Sequence, residues 1–288
     1  MNLKPPKPWI QALAELIRKT STELPADIVA ALADGRAAET PGSRADATLG
    51  TILDNADLAA RTGVPLCQDT GTLAFWFEAP VGTDHRLLEA SARQAVREAT
   101  AKGWLRLNVI DVPSGSQIAD NVAPGNPAIH IEQTDADAIR AQLLMKGGGS
   151  ENMSAQYSLP DASLGAGRDL DGARRCLLDA VWRAQGNGCA PGILGVCIGG
   201  DRANGHAKAK AQLLRTLDDA SPDPAIAELE RRVLHDANTL GIGPMGLGGA
   251  TTLLGVKVAT LPRLPASYFV TIAYGCWACR RGSLKFET

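Results

Sequence analysis

Three cysteines, far apart in the chain, each sit in a stretch built to bend, and this most constrains how the chain can fold. Cys67 lies in Pro65-Leu66-Cys67-Gln68-Asp69-Thr70-Gly71, Cys189 in Asn187-Gly188-Cys189-Ala190-Pro191-Gly192, and Cys276 in Tyr274-Gly275-Cys276-Trp277-Ala278-Cys279-Arg280-Arg281-Gly282. Glycine and proline let a backbone turn sharply, so each thiolate can be aimed at a shared point. Three converging thiolates are one fewer than a fully protein-ligated iron–sulfur cluster needs. A cubane held that way keeps one iron open, and an open metal position marks a catalytic site.

The cellular setting bears on those thiols. The sequence has no run of about 18 apolar residues, and its N-terminus, MNLKPPKPWIQAL, lacks the apolar centre of a signal peptide. A cytoplasmic location is expected, where six cysteines stay reduced and serve metal binding or chemistry rather than a disulfide framework. Aromatic residues make up only 4%, which argues against a base-stacking surface, and a net charge of −2 with mixed signs offers no basic stripe. Neither nucleic acid nor membrane is an expected partner.

Periodicity predicts an α+β fold of mixed helices and short sheets, as a single domain over residues 1–288 open to a bilobed form. Residues 8–35 read as two helices, the first with Trp9, Ile10, Leu13, Leu16 and Ile17 on one face and the second starting at Leu24-Pro25-Ala26-Asp27. Residues 36–50, with Pro41, Gly42 and Gly50, read as a loop. Thr72 to Glu78 suits a buried strand, residues 84–102 a helix, and Ile129 with Ile131 a half-buried strand. Helices are expected over 168–186 and from Ala225 to Leu240, and strands over Ile193 to Ile198, Leu253 to Ala259 and Tyr268 to Tyr274.

Five ordered motifs then carry a resemblance: CQDTG at 67–71, KGGGSEN at 146–152, CAPG at 189–192, GIGPMGLGG at 241–249, and LPAS…GCWACRRG between 264 and 282. Over nearly its whole length the chain resembles the alpha subunit of class I fumarate hydratases and L-tartrate dehydratases. The resemblance implies an oxygen-sensitive hydro-lyase with a 4Fe-4S cluster on Cys67, Cys189 and Cys276. It further implies Gln68 and Asp69 as substrate-holding residues, Asp69 as a catalytic group, Arg106 as a substrate-binding arginine, and a turn at Gly148 and Gly149 whose N–H groups approach a substrate carboxylate. One-chain members continue past the CWACRRG segment, so a chain ending at Thr288 is expected to be the alpha half of a heteromer. Its beta subunit would supply the proton-abstracting residue, in a dimer of heterodimers. KGGGSEN favours fumarate/(S)-malate over L(+)-tartrate.

The residue types suit that chemistry. Hydrating a C=C flanked by carboxylates needs a Lewis acid for the hydroxyl and a group that moves a proton on the next carbon. Arg106 offers a planar fork for a carboxylate, and Asp69 can relay a proton or orient Gln68. Blander readings stand beside these. Cys67, Cys189 and Cys276 can be three buried thiols, Arg106 a surface arginine, and Gly147 to Gly149 a plain turn, since the GK[ST] of a phosphate loop is absent. Cys176 and Cys197 read as core thiols, Cys279 as a spare one, the stretch 241–249 as a helix-to-strand connection, and His235 as solvated. The Cys276–Cys279 pair alone suggests a redox motif or half a zinc site, without the second pair or βαβ context either needs.

The chain departs from the family at Leu264, where a histidine is usual before Pro265-Ala266-Ser267. Leucine neither protonates a leaving hydroxyl nor orders a water. That departure keeps a second reading open, a non-catalytic paralogue that binds a cluster or a partner. A third reading is a zinc-dependent structural protein.

Overall fold

The computed structural model describes residues 4–287, and the chain forms two compact units. The first comprises the N-terminal segment to Pro25, Asn55–Gly148, and the segment from Arg280 onward; the second comprises Ala26–Asp54 and Gly149–Cys279. The α+β expectation holds, with one four-stranded mixed sheet in each unit.

In the first unit the sheet has the order β2-β1-β3-β8, from β1 (Thr72–Pro80), β2 (Ala128–Thr134), β3 (Ile139–Lys146) and β8 (Arg280–Phe286). Strand β1 alternates as a half-buried strand does: Leu73, Phe75, Phe77 and Ala79 are buried, and Trp76 and Glu78 are half-exposed. Its buried face packs on α1 (Lys7–Thr22) and α4 (His85–Ala101), whose apolar faces carry Leu13, Leu16 and Ile17, and Leu88, Ala92, Ala95 and Ala99. Asp84 caps α4 by accepting the Arg86 N–H.

In the second unit the order is β4-β7-β5-β6, from β4 (Ala155–Ser158), β5 (Gly192–Gly199), β6 (Leu253–Leu261) and β7 (Phe269–Gly275). Every residue of β5 is buried, because both faces are covered. Leu194, Val196 and Ile198 join the core with α6 (Leu170–Ala184) and α8 (Pro224–Asn238), while Gly195 on the other face admits α7 (Arg202–Gln212). A Cβ at Gly195 would fall inside 3.0 Å of the Ala209 carbonyl. Asp169, Asp201 and Asp223 cap α6, α7 and α8 through their side chains.

Two helices over 8–35 are observed, as α1 and α2 (Ala26–Ala38), and the strands and helices expected beyond residue 72 are found within a few residues of their bounds. The loop expected over 36–50 is corrected: residues from Arg44 belong to α3 (Arg44–Thr62). Gly50 looks like a break because glycine costs roughly 1 kcal/mol inside a helix. The helical spacing of the buried Leu49, Ile52, Ala56 and Ala59 outweighs it, and the Arg36 guanidinium occupies the space a Cβ on Gly50 would need. Strands β3, β4 and β8, helix α7 and the short α5 (Gly148–Asn152) have no counterpart in the sequence reading.

Candidate functional site

Register sets the site end of the first sheet. Strand β1 begins where antiparallel β3 ends, Thr72 opposite Lys146, and β8 begins beside the same end, Arg280 opposite Met145. The CQDTG loop, the Gly147-Gly148 turn and Arg280 are therefore neighbours. Asp69 is the knot between them. Its Oδ1 accepts the Gly71 N–H at 2.9 Å, and its Oδ2 accepts the Gly148 N–H at 2.7 Å. Two glycines are required here: Gly71 has φ +78 and a Cβ on it would fall inside 3.0 Å of the Lys146 carbonyl, and a Cβ on Gly147 would meet Asp69 Oδ2 at 3.0 Å.

A second loop is tied to this knot. Asn108 donates through Nδ2 to Asp69 Oδ1 at 3.3 Å and to the buried Thr70 Oγ1 at 3.2 Å, and the Arg106 N–H donates to the same Thr70 oxygen at 3.2 Å. From the other side Asn121, buried and left-handed at φ 58, accepts the Asn108 and Val109 N–H groups and donates to the Arg106 carbonyl. The Arg106 side chain is exposed and, among the described residues, has no ion-pair partner. Cys67 is half-buried and Gln68 exposed. Gly148 gives its N–H to Asp69, so that donor is engaged within the protein.

Register also explains the pairing in the second unit. Strand β5 starts where antiparallel β7 ends, Ile193 opposite Gly275, which puts the loop carrying Cys189 beside the residue that follows β7, Cys276. The Trp277 N–H donates to the Cys189 carbonyl at 3.2 Å. Tyr274, only 1% exposed, packs its ring against the loop carrying Cys189. Burial raises its phenol pKa, and thiolate charge at Cys276 and at Cys189 raises it further. Gly188 and Gly192 clasp that ring, since a Cβ on either would fall inside 3.0 Å of it. Cys189 itself has φ 54, a left-handed conformation that a non-glycine residue holds only when its surroundings fix it. They do: the Cys189 N–H donates to Gly186 and the Met245 N–H donates to Ala190, so the GIGPMGLGG segment, expected to be a connection, also buttresses the second cysteine loop.

A family model for fumarate hydratase (Fumerase) matches residues 10–285. A Geobacillus stearothermophilus protein assigned as a class I fumarate hydratase is 45% identical over 94% of this chain and 53% of its own length. A Methanocaldococcus jannaschii protein assigned as an L(+)-tartrate dehydratase alpha subunit is 33% identical over 96% of both chains. The L(+)-tartrate dehydratase subunit alpha of Escherichia coli K12 is 31% identical over 95% of this chain and 89% of its own. The chain belongs to the class I fumarate hydratase and L-tartrate dehydratase alpha-subunit family. It spans about half (53%) the length of its Geobacillus relative.

Within this family member the remaining cysteines behave as core thiols. Cys176 and Cys197 are fully buried; burial pushes the first up to about 12, with help from the charges of Asp161 and Asp179, and the second up to about 11. Cys279 is buried with Sγ 3.9 Å from the Leu213 carbonyl. His235 is exposed. Among the described residues no three His, Cys, Asp or Glu side chains form a single-ion site. Sequence reasoning missed Thr70, Asn108, Asn121, Tyr274 and Arg280. Three of these stood inside quoted stretches, Thr70 in CQDTG and both Tyr274 and Arg280 in YGCWACRRG. Among the described residues no helix is long and apolar enough to cross a membrane.

Proposed function

We propose that this chain is the alpha subunit of a hydro-lyase that reversibly hydrates a four-carbon dicarboxylate, fumarate to (S)-malate, with a beta subunit supplying the proton-abstracting residue. The observation that carries this is the Asp69 knot, two residues beyond a half-buried thiol. It fixes one carboxylate and, through Thr70 and Asn108, the loop presenting Arg106, which has no ion-pair partner among the described residues. Arg106 takes one substrate carboxylate in its planar fork. Asp69, with both oxygens anchored, keeps one orientation while it relays a proton or aligns Gln68. Gly149, beside the engaged Gly148, is the remaining donor of that turn toward the substrate.

Cys67, Cys189 and Cys276 are the residues to hold a 4Fe-4S cluster. All three thiols are half-buried, in contrast to the fully enclosed Cys176 and Cys197. When bound, a cluster with one iron free of protein ligands supplies a Lewis acid for the substrate hydroxyl. KGGGSEN and the higher identity to the relative assigned as a fumarate hydratase support reading fumarate ahead of L(+)-tartrate. The test is anaerobic reconstitution with the beta subunit, as a dimer of heterodimers. Fumarate hydration that is lost in air is expected; air-stable turnover, or none with either diacid, overturns the reading.

Leu264 favours a second reading, a paralogue without turnover. It sits 74% exposed on the turn after β6, where Arg263 Nη1 donates to the carbonyls of Leu264, Pro265 and Ser267. A turn held by its backbone accepts Leu264→His without refolding. Activity that emerges only in that variant would establish decayed catalysis.

A further inference from the structure

The first unit contains a buried cation that has no counter-charge among the described residues. Arg280 is 1% exposed, and Nη2 makes its one hydrogen bond, to the neutral carbonyl of Asp69 at 2.8 Å. Its Nε and Nη1 are buried and have no hydrogen-bond partner among the described residues. Three other buried charges are answered: Glu230 accepts from Arg215 and from the Val258 N–H, Glu39 from the Ala250 and Thr251 N–H groups, and Lys257 donates to two carbonyls. A guanidinium left this way is costly, because desolvation is uncompensated and a planar set of donors points at nothing. Such a group is retained when an anion belongs there.

Two anions are candidates by chemistry, a carboxylate or a sulfur ligand. The carboxylate of Asp69 is spent on Gly71, Gly148 and Asn108. A diacid arriving from solvent would have to reach a side chain almost wholly enclosed. A cluster resident in the folded protein has no such journey to make, and a cubane on three thiolates carries net negative charge. The carbonyl that Arg280 holds belongs to the residue two positions after Cys67. We infer that Arg280 is a positioning residue for the iron–sulfur group, its unpartnered Nε and Nη1 donating N–H···S hydrogen bonds to sulfur of the cluster held at Cys67. This rests on the reading that the chain carries a cluster. The cation and its hydrogen bonds to sulfur favour the more reduced, more negative cluster, so they raise its reduction potential and slow its loss.

The test compares the full-length wild type with Arg280→Gln, which keeps a donor for the Asp69 carbonyl, and Arg280→Lys, which keeps the charge but not the fork. Each is reconstituted anaerobically, and iron and acid-labile sulfide are followed over time, with the cluster's reduction potential and the melting temperature of the apo chain. Arg280→Gln is expected to lose its cluster roughly tenfold faster or more, as outer-shell substitutions do, and to show a lower potential. Its apo form should melt no lower than wild type, because an orphan charge has been removed. Arg280→Lys should keep most of the potential and lose the cluster at an intermediate rate. Unchanged retention and potential in Arg280→Gln would overturn the inference. So would a destabilised apo chain whose cluster loss tracks unfolding, which marks a structural arginine. A raised KM for the diacid with cluster properties unchanged would assign the guanidinium to substrate instead. Failure of the wild type itself to take up iron and sulfide would remove the cluster reading and this inference together.

Discussion

The loop that presents Arg106 has no strand or helix of its own at residues 106–109, so its order rests on side chains, chiefly on Asn121. Asn121 accepts through Oδ1 from the N–H groups of Asn108 at 3.1 Å and Val109 at 3.3 Å, and donates through Nδ2 to the Arg106 carbonyl at 2.8 Å and Thr100 Oγ1 at 3.1 Å. At roughly 0.5–1 kcal/mol net apiece, Asn121→Ala forfeits about 2–4 kcal/mol of loop order. It also leaves alanine at φ 58, where asparagine is tolerated and alanine costs about 1 kcal/mol more. The direct assay is amide hydrogen exchange at Asn108 and Val109, whose protons are the ones Oδ1 holds. If about 2 kcal/mol of protection is lost, exchange at both amides quickens roughly thirtyfold.

Two companion variants separate the contributions. Asn121→Gly loses the same hydrogen bonds without the backbone strain and should exchange more slowly than Asn121→Ala. Asn121→Asp keeps the Oδ1 acceptor and loses the donors, so the Asn108 amide should stay the better protected of the series. Exchange in Asn121→Ala within about threefold of wild type would refute the reasoning, because it would mean the loop is ordered by something other than these four bonds.

Asp69→Asn cannot accept both the Gly71 and the Gly148 N–H groups, so hydration by the reconstituted enzyme should fall about a hundredfold or more with the fold retained by circular dichroism, if Asp69 moves a proton. Gly188→Ala drives a methyl into the enclosed Tyr274 ring, and a loss of roughly 1–3 kcal/mol in denaturant unfolding is expected; an unchanged midpoint would show that the ring can yield. Stability should fall on the alkaline side. Cys197 and Cys176 release their protons near 11 and 12 when folded, against an ordinary 9.0, so from about pH 9 upward the unfolded state binds fewer protons and is favoured. Each should contribute on the order of 1 kcal/mol per pH unit above that point and nothing below it. Urea midpoints between about pH 8 and 10 read this slope, and a Cys176→Ala/Cys197→Ala double variant that keeps it would disprove the assignment.

Much of the frame is legible because its signals are periodic. Helices α1, α4, α6 and α8 repeat apolar residues at helical spacing, and β5, β6 and β7 are apolar runs bounded by turn residues. Strand β8 escapes because Arg280-Arg281-Gly282-Ser283 carries no apolar alternation; pairing with β3 makes it a strand, and Gly282 admits the Thr20 side chain. Helix α7 escapes for the opposite reason, since Arg202-Ala203-Asn204-Gly205-His206 is polar and contains a glycine. That glycine lets α7 approach Thr271 on β7, which is tertiary information. At the site, the Gly- and Pro-marked stretches single out the cysteines and the family resemblance singles out Asp69 and Arg106, whereas Asn121 and Tyr274 act through contacts that only the fold creates.

The two kinds of cysteine in this chain show what separates a candidate ligand from a core residue before any metal is considered. Cys176 stands in the middle of α6 and Cys197 in the middle of β5, where neighbouring turns or strands close over the sulfur and burial holds the thiol protonated. Cys67, Cys189 and Cys276 stand outside the regular elements, before β1, before β5 and after β7, where no ladder covers the side chain and all three remain half-buried. A sheet end is also where register forces loops from distant sequence positions together, as Ile193 opposite Gly275 does for the second and third of them. The glycines around these cysteines then have a definite task. Gly188 and Gly192 are small so that the Tyr274 ring can pack against the loop carrying Cys189, and Gly71 and Gly147 are small so that Asp69 can be gripped. On this argument the order of sensitivity follows: substitutions at these glycines should disable the site more severely than substitution of Cys176 or Cys197, although the latter are more deeply buried. Comparing iron retention in Gly188→Ala and Cys197→Ala decides it, and greater loss in the cysteine variant would contradict the distinction.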